Sequence, residues 1–156
     1  MVSPQSVLFV CLGNICRSPL AEGAFRAAAL RAGLAVEIDS AGTGGWHIGD
    51  APDPRAQVEA ARHGVDISAL RARQVERADF TRFSHIFALD EANLADLRRL
   101  APAGAKAELM LLMDLLPDAA GTSVADPYYG GPEDFAQTWD EVSAAAEALV
   151  ARLQQV

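Results

Sequence analysis

A thiol at Cys11 and a guanidinium at Arg17, with Gly13 and Asn14 between them and Ser18 just after, are the groups in this chain whose types and spacing could do chemistry. Glycine and asparagine accept tight turns and positive φ, so the stretch from Leu12 through Ile15 and Cys16 can curl into a nest of backbone N–H groups. Such a concavity, ending at a helix N-terminus, takes an oxyanion such as phosphate. Arg17 completes it, because its planar fork can hold two phosphate oxygens and follow their charge into a transition state. The same positive field favours the thiolate of Cys11 and makes it a nucleophile at neutral pH. The loop lacks the Gly-Lys-Ser/Thr ending of a nucleotide-binding loop, so the anion it holds is expected to be attacked by the sulfur. A buried cysteine packed in a turn is the bland alternative, and the neighbouring Arg, Gly, Asn and Ser weigh against it.

The elements that must present this loop lie on either side of it. Val7 to Val10 form a short apolar run suited to a buried strand. A helix follows over Pro19 to Ala32, with Ser18 as its cap, Pro19 as its first residue and Gly33 as its stop. Val36 to Ser40 read as a second strand, and the glycine-rich loop 41–54 leaves its carboxyl end, where open α/β sheets bind ligands. Trp46 in that loop could wall a slot for an aromatic group or fold back as an anchor. Asp53 and Pro54 open a helix that stops at Gly64, with His63 as a cation at its C-terminal end. Ser84 to Leu89 give a third strand with His85 in a structural role, Asp90 caps a helix over Glu91 to Leu100, and Lys106 to Leu112 give a fourth strand. A second long loop, 117–134, precedes a final helix on which Phe135, Trp139, Val142, Ala146, Leu149 and Leu153 share one face. Alternating strands and helices predict a parallel sheet with right-handed crossovers.

Val10 to Pro19, VCLGNICRSP, resembles the low-molecular-weight protein tyrosine phosphatases, whose signature runs V-C-x-G-N-I-C-R-S-P. The likeness extends through Asp39-Ser40-Ala41-Gly42-Thr43, Ala72-Arg73-Gln74 and Asp126-Pro127-Tyr128-Tyr129-Gly130. It implies an α/β three-layer sandwich, a four-stranded parallel sheet in order 2-1-3-4 with helices on both faces. It also implies phosphotyrosine hydrolysis through a cysteinyl phosphate: Cys11 as nucleophile, Arg17 as phosphate clamp and Asp126 as general acid and base. Asn14, Ser18 and Ser40 would support the loop, and Leu12, Ile15, Trp46, His47, Tyr128 and Tyr129 would line the pocket. Cys16 is either a packed thiol or, as the resemblance implies, the trap that takes oxidised Cys11 into a reversible disulfide. Where the family commonly carries a histidine before Ala-Arg-Gln this chain has Leu70, which predicts that Asn14 lacks one of the partners usual in the family and that the loop is less rigidly held. Arg71 and Arg77 are either a solvated face or support for the loop. Asp-Pro is also a common turn, so Asp118 and Asp134 stand as alternatives to Asp126.

Length fits one domain over 1–156, and a net charge of −8 argues against nucleic acid as a partner. No apolar run approaches the roughly 18 residues of a membrane span, and MVSPQSV has no basic leader, so a cytoplasmic location and no membrane partner are expected. Both cysteines sit in one loop, which suits a reducing compartment. No cofactor or metal is expected. The expected partners are tyrosine-phosphorylated proteins, with a tyrosine kinase acting on Tyr128 or Tyr129 as a further candidate, and the chain is expected to be a monomer with at most weak self-association. A thioredoxin-coupled arsenate reductase would need cysteines beyond Cys16, and there are none. Related protein-arginine phosphatases typically carry Thr at the position of Ile15, which here favours an aromatic ester. A mere phosphate-binding module would have no need of Cys11 or Asp126.

Overall fold

In the computed structural model, which describes residues 5 to 155, the first apolar run forms β1 (Ser6–Cys11), buried at every residue. Its side chains alternate between two cores. Val7, Phe9 and Cys11 join one hydrophobic cluster, while Leu8 and Val10 join another on the opposite face. β1 is therefore the central strand, with β2 (Glu37–Gly42) on one side and β3 (His85–Ala88) on the other, and β4 (Glu108–Leu111) lies beyond β3. All pairs are parallel and the order is 2-1-3-4, as the resemblance implies.

Helix α1 (Arg17–Ala32) packs against the last helix, α5 (Pro132–Gln154), on the Phe9 face. Its many alanines let it approach both the sheet and α5 closely, and eleven of its sixteen residues are buried. Phe9 meets Phe25 of α1 edge-on at 5.8 Å and stacks on Phe87 of β3 at 6.0 Å. Helix α2 (Pro54–Arg62) joins that layer, with Asp53 capping it through the Arg55 N–H. Its end differs from the simple cation expected at His63: the imidazole stacks on Trp139 at 4.7 Å and its Nε2 lies 2.8 Å from Glu59 Oε2. The opposite face is covered by a short helix, α3 (Asp79–Arg82), and by α4 (Glu91–Leu100), which contribute Phe80, Leu94 and Leu97. Two short 3₁₀ turns, Leu112–Leu115 and Pro117–Ala119, follow β4. Neither they nor α3 had a signal in the sequence pattern.

Strand and helix ends shift by one to three residues from expectation, β2 running on to Gly42 and β4 starting at Glu108. One shift changes a role. α1 begins at Arg17, so Ser18 lies inside its first turn and caps nothing; its hydroxyl turns to Cys11 instead. Among the described residues, no helix is long and apolar enough to cross a membrane.

Extension of β2 to Gly42 brings it beside Cys11 in the sheet register. Beyond the paired strands, the Thr43 N–H donates to the Cys11 carbonyl and that of Gly44 to the Leu12 carbonyl, both at 2.9 Å. That close approach requires glycine, because a Cβ on Gly42 would lie 2.7 Å from the Leu12 oxygen. Gly42→Ala is expected to lower unfolding free energy by about 1–3 kcal/mol. Thermal unfolding of the two proteins under matched conditions measures it.

Candidate active site

The loop between β1 and α1 curls over its own sulfur. Asn14 sits at φ 59°, the only described non-glycine residue with positive φ, and this turn directs its backbone N–H to Cys11 Sγ at 3.3 Å. The Asn14 side chain is engaged at every position. Its Nδ2 donates to Ser18 Oγ at 2.8 Å and to Ser40 Oγ at 3.0 Å, and its Oδ1 accepts the Arg73 N–H at 3.0 Å. With Leu70 in place of the family histidine, Asn14 Oδ1 accepts one bond, from the Arg73 main chain. Ser18 Oγ is 3.0 Å from Cys11 Sγ.

Arg17 is 4% exposed, and its side chain spans the loop ends of three elements. Nη1 donates to Asp90 Oδ2 at 2.7 Å and to the Val124 carbonyl at 3.1 Å, while Nη2 lies 3.8 Å from Asp126 Oδ2. Burial alone would depress the guanidinium, but Cys11, Asp90 and Asp126 around it hold it above its ordinary value. Arg17 is therefore a fixed positive charge beside the thiol. Asp90 also caps α4 through the Asn93 N–H at 2.7 Å. The sequence marked Asp90 as a cap only; its place at the carboxyl end of β3 was the available sign that it could reach the same mouth.

Cys11, Arg17 and Asp126 open into one cavity of about 250 Å³. Leu12, Gly13, Ile15, Cys16, Trp46, His47, Tyr128 and Tyr129 complete its lining, so every expected pocket residue is brought together. Both readings of Trp46 hold. Its ring rests on Gly44, where a Cβ would lie 1.8 Å from Cζ3, and yet it is 72% exposed at the cavity rim. His47 is 3.2 Å from Asp50. Asp126 is half-exposed and accepts the Tyr128 N–H at 3.1 Å, which leaves its other oxygen toward Arg17. Of the alternative carboxyls, Asp134 is committed to the Gly131 N–H at the start of α5 and Asp118 lies in an exposed 3₁₀ turn.

Arg55, which sequence reasoning passed over, ties the two long loops together. It pairs with Asp53 at 2.9 Å, lies over the rings of Tyr128 and Phe135 and reaches the Gly130 carbonyl at 3.5 Å. Asp53 in turn donates its N–H to the Ile15 carbonyl at 2.8 Å. Of the arginines between Ile67 and Ala78, only Arg73 supports the site by contact, bonding Asp39 and Asp79 as well as Asn14. Arg71 lies exposed against the Ser68 and Leu70 carbonyls. Among the described residues, no group of three or more His, Cys, Asp or Glu is placed to hold a metal.

Residues 6–156 match the family model described as low molecular weight phosphotyrosine protein phosphatase, and the chain belongs to that family. It is 46% identical over 154 residues to a low molecular weight protein-tyrosine-phosphatase of Streptomyces coelicolor, covering 96% of this chain and 93% of that one. The crystal structure of YfkJ from Bacillus subtilis superposes with a TM-score of 0.91 at 40% identity, covering 99% and 97% of the two chains. A Drosophila arginine phosphatase superposes with a TM-score of 0.90 at 29% identity, covering 95% and 97%.

The two cysteines differ sharply in environment although both are buried and free. Burial, reinforced by Asp53, Cys11 and Asp126, pushes the Cys16 thiol far above its ordinary value and keeps it protonated. Brief treatment with iodoacetate at neutral pH is expected to carboxymethylate Cys11 and spare Cys16. Tandem mass spectrometry of the peptide spanning both residues reads the position of the label.

Proposed function

We propose that this chain hydrolyses phosphotyrosine monoesters in two steps through a cysteinyl phosphate. Cys11 Sγ attacks phosphorus, the bond to the phenolic oxygen breaks, and Asp126 passes its proton to that oxygen as it leaves. In the second step Asp126 takes a proton from water, the water oxygen attacks phosphorus, and the sulfur departs as thiolate. Arg17 and the loop amides hold the phosphoryl oxygens throughout. The observation that carries this reading is one cavity containing a thiol bonded by Ser18 and Asn14, a buried guanidinium and a half-exposed carboxyl. Aromatic rings on the walls suit an aryl ester, and Ile15 offers no hydroxyl to a guanidinium. The expected partners are tyrosine-phosphorylated proteins. Tyr129, 94% exposed at the rim, supports a tyrosine kinase as a second partner, and two free cysteines in one loop suit a reducing cytoplasm.

Phosphate release from matched phosphotyrosine, phosphoserine and phosphoarginine peptides, with EDTA present throughout, tests the substrate class. Phosphotyrosine is expected to turn over fastest; faster release from phosphoarginine would move the assignment to guanidinium phosphates. In the step that forms the cysteinyl phosphate, Asp126→Asn is expected to slow phenyl phosphate by about 10²- to 10⁴-fold. A nitrophenyl ester, whose phenolate leaves with little help, should lose much less. Pre-steady-state bursts separate that step from hydrolysis of the intermediate, and equal losses for both esters would remove Asp126 from the role.

The shared cavity of Cys11 and Cys16 also supports reversible oxidation. Peroxide converts the Cys11 thiolate to a sulfenic acid, and the Cys16 thiol displaces water from it to close a disulfide. Activity is expected to return with dithiothreitol in the wild type and to return less completely in Cys16→Ser after matched exposure.

A further inference from the structure

Glu22 is a carboxylate inside the protein with no part in the chemistry above. It is 2% exposed on α1, one turn beyond the nucleophile loop, and its Oε2 pairs with Arg26. Its Oε1 accepts a hydrogen bond from Ser40 Oγ at 2.7 Å. Burying such a group costs stability unless it is paired and bonded, and both conditions are satisfied here. Its sequence position gave no sign of this, since a glutamate in an alanine-rich helix reads as solvated surface.

The bonds beyond Ser40 have only one consistent direction. Because the Arg73 N–H occupies Asn14 Oδ1, the Asn14 amide must point both its Nδ2 hydrogens at Ser40 Oγ and Ser18 Oγ. Each serine oxygen is then an acceptor toward Asn14 and must aim its own proton elsewhere. For Ser18 the remaining partner is Cys11 Sγ; for Ser40 it is Glu22 Oε1. Were Glu22 unable to accept, the Ser40 proton would find an acceptor only if the Asn14 amide turned over. That turn would strip the Arg73 N–H of its partner and draw the Ser18 proton off the sulfur.

We propose that Glu22 is a positioning residue for the nucleophile: by accepting the hydrogen bond of the Ser40 hydroxyl it fixes the hydrogen-bond direction through Asn14 and Ser18, so that Ser18 donates to Cys11. It rests on the reading of Cys11 as the reactive thiolate, whatever the phosphorylated substrate. Two effects of removing the charge oppose each other. Loss of a negative charge would favour the thiolate, but Arg26 already balances that charge, so the field reaching Cys11 is that of a compact pair. Loss of the Ser18 donor removes a charge-assisted hydrogen bond, which corresponds to about one to two pH units. The second effect dominates.

The test is the pH profile of Cys11 alkylation by iodoacetate, which reads the thiolate without any turnover, so its outcome is separate from that of the substrate panel. Glu22→Leu keeps much of the bulk but removes both acceptor oxygens, so the Ser40 proton has no partner there. Its profile midpoint is expected to move upward by about one pH unit, with Ser40→Ala moving in the same direction. The double variant should move no further than the larger single shift, because both changes break one chain. An unchanged or lowered midpoint in folded Glu22→Leu, or fully additive shifts in the double variant, would overturn the proposal. Should Glu22→Leu fail to fold, Ser40→Ala decides alone, since the chain runs through its hydroxyl: an unmoved midpoint there also overturns it.

Discussion

Asn14 is the joint on which the rest of the site depends. A left-handed backbone costs an ordinary residue about 1–2 kcal/mol, and asparagine is among the few side chains that offset it with local hydrogen bonds. Here only one of those bonds is local, to Ser18 four residues on. The others reach a serine in β2 and a main-chain amide from the segment before α3, drawing two distant stretches onto one side chain. The turn it makes places an amide on the sulfur, and the residues it binds place a hydroxyl there too. Shape and electrostatics at Cys11 therefore share a single origin. The sheet makes this possible, because parallel β1 and β2 deliver the Cys11 loop and Ser40 to the same edge.

A second constraint acts through Arg17. Two acceptors, one at the end of β3 and one in the long loop before α5, and an ion pair with Asp126 fix the guanidinium, so the direction of its charge is set by the fold. Asp90 does two jobs at once: one oxygen caps the start of α4 and the other holds Arg17. A helix cap is thereby also a partner of the buried guanidinium. That fixed positive charge stands out against the net negative charge of the chain.

Much of this was legible from residue order. The apolar run of β1, the turn residues at Gly13 and Asn14 and the alanine-rich helix carried the strand, loop and helix, and helix α4 begins and ends where Asp90 and the pattern put it. The 3.6-residue spacing of Phe135, Trp139 and Val142 likewise marked the buried face of α5. What failed was tertiary in nature. Ser18 has the chemistry of a cap, but the sulfur 3.0 Å away competes for its hydroxyl, and no local pattern registers that competitor. The bond from the Arg73 main chain to Asn14 was equally hidden, because a backbone amide is carried by every residue and encoded by no side-chain motif. Asp90 and Arg17 stand 73 positions apart, and only the folded sheet reveals that they meet.

The contrast between floor and walls of the cavity bears on how such a protein can change over generations. Asn14, Arg17 and Ser18 are embedded in the core, where each is held by several partners and replacement of one strands the others. Trp46 and Tyr129 stand out in solvent on the two long loops. Substitution there alters what approaches the sulfur while leaving the sulfur's surroundings intact. The floor is thus anchored by the interior while the rim is anchored only by its own loops, and the two can be altered separately.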